Sequence, residues 1–579
     1  MKYAPTLSLG LLLAACHSGI EPPPEAAGSP AALSAHSQEF RREVIEVAKG
    51  IHVAVGYGIS NSILIEGEDG LIVVDAMESL ETAEAVAAEF RKISDKPVKA
   101  LIYTHSHPDH IAGGPAFLKP GQAPPAVYAQ AGVLANIDKI ASELQPIIAR
   151  RAFRMYGNYL SEAEMVNVGI GPRLGVGQDS QMQVLRPTRS FVEQLDDRVA
   201  GVHFQLLHAP GETEDQLFVW LPERRILLSG DNFYRAFPNL YTIRGTSYRD
   251  PKAWAASLDR MRALAPEALV PSHGRPLLGA DLVRDSLRDY RDAIRFVYDQ
   301  SIRLFNQGLG PDEIAGRLRL PEHLASSPYL QEFYGRPDWS ARSVFSGNLG
   351  WFDGNPSRLR PLPPTEEAKR WAELAGGTEA LVDAVVKASQ SGEHQWVLQL
   401  SDQALQLAPD NRELKAARVA ALRALGEAES NPNARHWYLV SMHELTGDLV
   451  LPEHAMKPTP AMLATMPLSL FFDGMAVNLD AEASADRRIQ VGFEFSDEPE
   501  RYTYIVRNGV SEVLSGLEPD LDIRVRVSAQ VFKETLAQIR NPALSVVRDF
   551  KVVQGSKLEF IRFMQLFKPD LQVDPTRRD

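Results

Sequence analysis

The sequence predicts an α/β protein in three parts: an αββα sandwich, an all-helical stretch and a closing α+β domain. Three patterns carry that expectation. Up to about residue 280, short apolar runs alternate with segments of helical periodicity, and several runs end in ionisable residues. From about 281 to 445, apolar residues recur at three- and four-residue spacing in one segment after another. Beyond about 455 the pattern shifts to period two, the mark of half-buried strands.

At 579 residues the chain exceeds what one core supports, so about three domains are expected. Lys and Arg number 61 against 74 Asp and Glu, a net charge of −13 that argues against nucleic acid as a partner. No internal apolar run is long enough to span a bilayer. The first residues read as a processing signal. Lys2 precedes an apolar run over residues 4–13, and Leu13-Ala14-Ala15-Cys16 resembles the box cut before a lipid-modified cysteine. Residues 1–16 are therefore read as a lipoprotein signal with lipidation at Cys16, and 17–37, rich in Pro, Ala, Ser and Glu, as a flexible tether. That arrangement suits export to the periplasm and a lipid anchor in the outer membrane. Cys16 is the only cysteine, which excludes a disulfide within the chain and a cysteine metal ligand.

Residues 38–280 form the first domain. Apolar runs at 61–65 and 71–74 flank Glu66-Gly67-Glu68-Asp69-Gly70, a hairpin signal. Residues 78–93 carry Ala and Val at helical spacing, and Pro97 precedes the strand 98–103. A short strand at 126–128 and a helix over 129–140 follow. The strand 98–103 delivers Thr104-His105-Ser106-His107-Pro108-Asp109-His110. Imidazole and carboxylate suit zinc or a similar divalent ion, and such a density of them is hard to explain by packing. Further ionisable residues stand just after apolar runs: Glu212 in Pro210-Gly211-Glu212-Thr213, Asp231 in Ser229-Gly230-Asp231-Asn232, and His273 in Pro271-Ser272-His273-Gly274. A sheet sandwich would gather them along one rim. Residues 147–177, with Arg150, Arg151, Arg154 and several glycines, read as an irregular lid or substrate loop whose arginines are either solvated or attract anions.

The His-x-His-x-Asp-His string with its later Glu, Asp and His resembles the metallo-β-lactamase fold. Gly230-Asp231-Asn232-Phe233-Tyr234, the string from Phe237 through Asn239 to Arg244 and Gly245, and Gly350-Trp351-Phe352-Asp353-Gly354-Asn355-Pro356 resemble its alkyl sulfatase branch. The resemblance implies two ions, zinc by default, with manganese or iron as alternatives. It assigns His105, His107 and Glu212 to one ion and Asp109, His110 and His273 to the other, with Asp231 shared. Glu214 competes with Glu212 for its place. Asn239 and Arg244 match the branch's sulfate-holding residues, and a guanidinium fork suits a tetrahedral oxyanion. Tyr234 and Tyr241 read as packing residues. The branch often has a histidine twelve residues before the Trp of its Gly-Trp-Phe-Asp-Gly-Asn-Pro string, placed to assist the leaving group. Here that position is Trp339, which leaves acid assistance unassigned.

An amphipathic helix is expected at 282–305 and another at 311–318, followed by a loop at 334–356 that the resemblance implies closes over the active site. The helices of 281–445 are implied to form a homodimer. At 455–579, a hairpin around Asn508-Gly509 and alternating strands resemble a sterol-carrier-like domain, whose pocket would take an alkyl tail. The expected activity is metal-dependent hydrolysis of alkyl sulfate esters to alcohol and sulfate. Hydrolysis of another ester or lactone is the nearest rival, and a lipid-binding carrier is the rival of another class.

Overall fold

The computed structural model describes residues 29–139, 143–177, 179–452 and 458–567; Cys16 and the signal segment lie outside them. Two sheets pack face to face. The first is formed in sequential order by β1 (Glu43–Ala48), β2 (Ile51–Val55), β3 (Ser62–Glu66), β4 (Leu71–Val74), β5 (Val98–Ile102), β6 (Ala126–Gln130) and β7 (Arg189–Phe191). The second contains β8 (Gln194–Val199), β9 (Val202–His208), β10 (Leu217–Leu221), β11 (Ile226–Gly230), β12 (Ala268–Pro271) and β13 (Leu277–Leu278), in the order β13-β12-β11-β10-β9-β8. The expected hairpin pairs β3 with β4 antiparallel, whereas β4, β5 and β6 run parallel, as do β11 and β12.

Period-two side chains explain the layering. Ile63, Ile65, Ile72, Val74, Ala100 and Ile102 face Leu217, Val219, Leu228 and Val270 across the inter-sheet core. Their neighbours Leu64, Val73 and Leu101 point the other way, under Val86 and Phe90 of the helix Leu80–Ile93. Ser79 caps that helix reciprocally with Thr82. On the far face of the second sheet, Phe218, Leu227 and Leu269 pack on Trp254 of Pro251–Ala263 and on Leu287 and Tyr290 of Ala280–Phe305. The result is the expected αββα sandwich. The C-terminal ends of β4, β5, β11 and β12 lie on one rim, because parallel neighbours end on the same side.

Several local expectations are corrected. The flexible tether does not extend to residue 37: Pro30–His36 is a helix capped by Ser29. Leu33 enters a cluster with Ile59, Met155 and Val168, and His36 stacks on Phe333 at 4.2 Å. Burial of these side chains overrides the polar local composition. Residues 145–156 form a regular helix, Gln145–Tyr156, and the helix expected at 129–140 is described only as Val133–Lys139. Arg154 makes a two-pronged ion pair with Glu444, and Arg151 donates to the carbonyls of Ile243 and Arg244, so both hold structure together. The expected loop at 334–356 is mainly the helix Pro337–Leu349, in which Trp339 stacks under the Arg336 guanidinium.

The helices Pro364–Ala375, Thr378–Gln390, His394–Leu407 and Arg412–Ala428 share one apolar core. Pro432–Thr446 joins that core through Met442 and also docks on the catalytic sandwich: His436 bridges the carbonyls of Met155 and Met165, and the Asn431 and Asn433 amides donate to the carbonyl of Tyr334. The last domain holds a third sheet of β14 (Arg488–Phe495), β15 (Arg501–Arg507), β16 (Val510–Ser515), β17 (Ile523–Val527) and β18 (Lys551–Gln554), ordered β16-β15-β14-β17-β18. Asn508 and Gly509 turn the hairpin with φ of 49° and 83°, as their residue types require. The stretch at 462–472, expected to open the strand pattern, is helical. It lies in Pro460–Thr465 and Leu468–Val477, where Leu468, Phe472 and Met475 recur at helical spacing against the sheet.

Candidate active site: a paired metal centre

The rim gathers its side chains from five strand ends. Thr104 to His110 follow β5, Glu212 follows β9, Asp231 follows β11 and His273 follows β12, while Asp75 follows β4. Gly211 sits where the chain passes so close to Asn232 that a Cβ would collide with the Asn232 amide. That amide in turn accepts from the Glu212 N–H and donates to the Ala209 carbonyl, fixing the turn that presents Glu212.

Two ligand triads result. Nitrogen and oxygen atoms of His105, His107 and Asp231 lie within 4.8 Å of one another, as do those of Asp109, His110 and His273. Asp231 Oδ2 stands 3.7 Å from His105 Nε2, 3.5 Å from His110 Nε2 and 3.0 Å from His273 Nε2. It is therefore placed between the triads. Among the described residues, buried His110 Nε2 and Asp231 Oδ1 find no hydrogen-bond partner, although His110 Nε2 stands 3.2 Å from Asp109 Oδ2, and a cation site leaves such atoms open.

Outer contacts fix the histidine tautomers. His273 Nδ1 faces the carbonyl of Ile59 at 2.8 Å, so it donates and leaves Nε2 for the centre. His110 Nδ1 lies 2.8 Å from Asp75 Oδ2. The same carboxylate accepts from the Thr104 amide, the Thr104 hydroxyl and the Ser272 hydroxyl. Because that Thr104 hydroxyl donates to Asp75, it accepts from His105 Nδ1 at 3.1 Å. Asp75 thus orients two histidines from one buried point, with its backbone in the left-handed region at φ 61°.

Charge at the centre is divided. Burial pushes His105 down to about 4, with His110 adding to the shift, and burial also drives His107 well below its ordinary value. Burial opposes charge on His273 too, yet Asp231 and Asp109 hold it up at about 9. His110 is likewise held well above its ordinary value, against burial, by Asp109, Asp231 and Asp75. Asp109, despite its own desolvation, is brought down to about 2 by His110 and His273. Divalent ions would displace those protons from the histidines, and neutral imidazoles with carboxylates are the donor set such ions take. The residues fit a two-ion centre.

Glu212 is buried beside this centre, and Glu214 is exposed. The Glu212 carboxylate rests on Arg249 at 2.9 Å and accepts from the Tyr234 hydroxyl at 3.1 Å. That hydroxyl also accepts the Asn239 amide N–H, which gives Tyr234 a polar task in addition to its packing. Asn239 is fully buried, and neither atom of its side-chain amide has a partner among the described residues. Arg244 reaches His107 Nε2 at 3.3 Å. Arg244 therefore adjoins the first triad, and Tyr234 links the Asn239 backbone to Glu212.

Over 521 residues the chain is 37% identical to a linear primary-alkylsulfatase from Pseudomonas sp., covering 87% of this chain and 98% of the relative. The chain belongs to the alkyl sulfatase family. Three family models match it in turn: the metallo-beta-lactamase superfamily at residues 55–273, alkyl sulfatase dimerisation at 310–448 and the alkyl sulfatase C-terminal model at 457–571. An (R)-specific secondary-alkylsulfatase from Pseudomonas sp. is 29% identical, over 92% of this chain and 82% of the relative. The solved structure of a stereoselective inverting sec-alkylsulfatase from Pseudomonas sp. superposes with a TM-score of 0.82 at 26% identity, covering 92% of this chain and 85% of that one.

Within this alkyl sulfatase framework, sequence reading missed Asp75, Arg249, Tyr156 and Tyr334. The last two bring their hydroxyls together at 3.1 Å, and the charge of Arg244 lies near both. Asp75 had one signal, an acidic residue directly after an apolar strand. The tyrosines had none, since residues 156 and 334 meet only through the docking of the helical domain.

Proposed function

We propose that His105, His107 and Glu212 hold one divalent ion, that Asp109, His110 and His273 hold a second, and that Asp231 serves both. The activity is metal-dependent hydrolysis of alkyl sulfate esters: water and R–O–SO₃⁻ give the alcohol, sulfate and a proton. Zinc is the default ion for such histidine-rich ligands. When bound, two such ions supply an activated water and neutralise charge that develops on the sulfate oxygens. The chain's own residues do the rest. Asp75 and the Ile59 carbonyl keep the imidazoles in the ligating tautomer, while Arg244 and the open amide of Asn239 seat the sulfate head. The observation that carries this reading is the pair of adjoining triads with the Arg244 guanidinium against His107.

Elemental analysis should find about two ions per chain, and sulfate release from dodecyl sulfate should exceed hydrolysis of carboxylic esters of equal chain length. A preference for the carboxylic ester would favour the rival hydrolase, for which Trp339 in place of histidine is the motive. A carrier function draws less support, because the interior of the last domain is filled by Phe472, Phe493, Phe532, Phe560 and Phe563.

A homodimer is proposed through the helical region. Leu349, Trp351, Leu359, Leu362 and Leu374 are exposed within or beside the segment matched by the dimerisation model, and apolar exposure of this kind marks an interface. Light scattering giving a single-chain mass would overturn it. Cys16 is proposed to carry lipid and tie the exported protein to the outer membrane, on the strength of Leu13-Ala14-Ala15-Cys16. Cys16→Ser should abolish incorporation of labelled fatty acid, and unlabelled wild-type protein would refute the anchor.

A further inference from the structure

Arg249 has no place in the reading so far, yet it is only 3% exposed and stands between two residues that reading uses. Its Nη1 lies 2.9 Å from Glu212 Oε1 and donates to the Asn239 carbonyl at 2.6 Å. Tyr234 closes the circuit, donating to Glu212 Oε2 and accepting from the Asn239 amide N–H. One guanidinium and one phenol thus tie a candidate ligand of the first ion to the backbone on both sides of the sulfate-seating amide. Arg249 is itself anchored, directly preceding the helix Pro251–Ala263 that Asp250 caps.

The arginine is poorly explained as a fold-stabilising ion pair. Burying a charge pair costs more desolvation than a well-packed apolar pair, and it is best tolerated when every donor is used. Here Arg249 Nε and Nη2 are buried without an acceptor among the described residues. Four carboxylates, Asp75, Asp109, Asp231 and Glu212, crowd a centre that must also admit an anionic substrate. Unopposed, the Glu212 charge would lie close to Arg244 and, through Tyr234, to the Asn239 backbone.

We propose that Arg249 is a positioning residue for alkyl sulfate binding. It offsets the Glu212 charge and fixes Asn239, so that the sulfate head is not repelled, while it competes with the ion for the Glu212 carboxylate. The inference rests on the reading of the pocket as an alkyl sulfate site. It sets two properties in opposition: losing Arg249 weakens substrate binding but strengthens retention of the metal.

The test compares wild type, R249M and R249K as metal-loaded full-length proteins. In R249M the KM for dodecyl sulfate should rise roughly tenfold, the scale of one charge-assisted hydrogen bond. The chelator concentration that strips half the metal should rise as well. R249K, which keeps the charge without the fork, should recover part of the KM and bring metal retention back towards wild type. Circular dichroism checks that each variant is folded. If R249M does not fold, R249K alone decides: an unchanged KM overturns the proposal. Loss of metal in either folded variant, in step with loss of activity, also overturns it and makes Arg249 a support of the centre. Wild type that releases no sulfate would refute the substrate reading, and the stripping curves would still test the Arg249–Glu212 link.

Discussion

The metal rim and the C-terminal domain are built on opposite terms. At the rim, His110 Nε2, Asp231 Oδ1, the whole Asn239 side-chain amide and two nitrogens of Arg249 are buried without a hydrogen-bond partner among the described residues. In the last domain, ring packs on ring: Phe472 lies 5.0 Å from Phe532, Phe493 5.5 Å from Phe532 and Phe560 5.6 Å from Phe550. One region keeps polar capacity unspent at a cost in stability, and the other spends its apolar surface on closure. The difference locates the chemistry. Substitutions at the rim should change turnover more than folding, and those in the aromatic core should do the reverse.

The strongest challenge to that contrast is removal of an ion ligand. His107→Ala should lower sulfate release by more than the roughly 10- to 100-fold typical of an outer-shell change. Thermal denaturation should remain cooperative, and a collapse of folding with the activity would blur the contrast. Asp75→Asn comes next, since it weakens the acceptor that orients His110 and accepts from Thr104. A roughly 10- to 100-fold loss of metal affinity is expected by competition with a chelator. Unchanged affinity would make Asp75 a mere filler of the rim.

Arg244→Leu separates substrate reading from metal holding. Both ions should stay, and kcat/KM for alkyl sulfates should fall about ten- to a hundredfold, the equivalent of ~1.5–3 kcal/mol for a charge-assisted donor. Equal losses on a neutral carboxylic ester would show that Arg244 supports the fold. The same contrast has a pH signature once the ions are stripped. His273, ordinarily near 6.5, is held at about 9 by Asp231 and Asp109 against burial. A raised value contributes stability that is complete below 6.5 and lost as pH climbs through about 9. The melting temperature of chelated protein should therefore fall between neutral pH and pH 9, and a flat profile would remove His273 as its source.

The smallest effect on turnover is expected in the aromatic core. Phe532→Ala should destabilise the last domain by ~3–5 kcal/mol through lost burial and a cavity. Rate per folded molecule should stay near wild type. A large loss of kcat in folded protein would mean that this domain shapes the active site after all.

The sequence by itself determined the layers and the ligand string. Alternating Ile, Leu and Val in β3, β4 and β5 declare two buried faces whatever lies around them, and a ligand cluster within seven residues needs only one turn to converge. The Asn508-Gly509 hairpin was legible for the same reason, since its φ requirement is local. Tertiary structure alone decided where buried charges find partners. Glu212 meets Arg249 because two loops of the second sheet's rim adjoin, and Tyr156 meets Tyr334 because a helical domain docks there. It also turned residues 30–36 from tether into helix, since Leu33 finds an apolar niche that no neighbouring residue in sequence reveals. Periodicity reports which side of an element is dry, but the contacts of a buried polar group depend on the register of distant elements, and no local pattern encodes that.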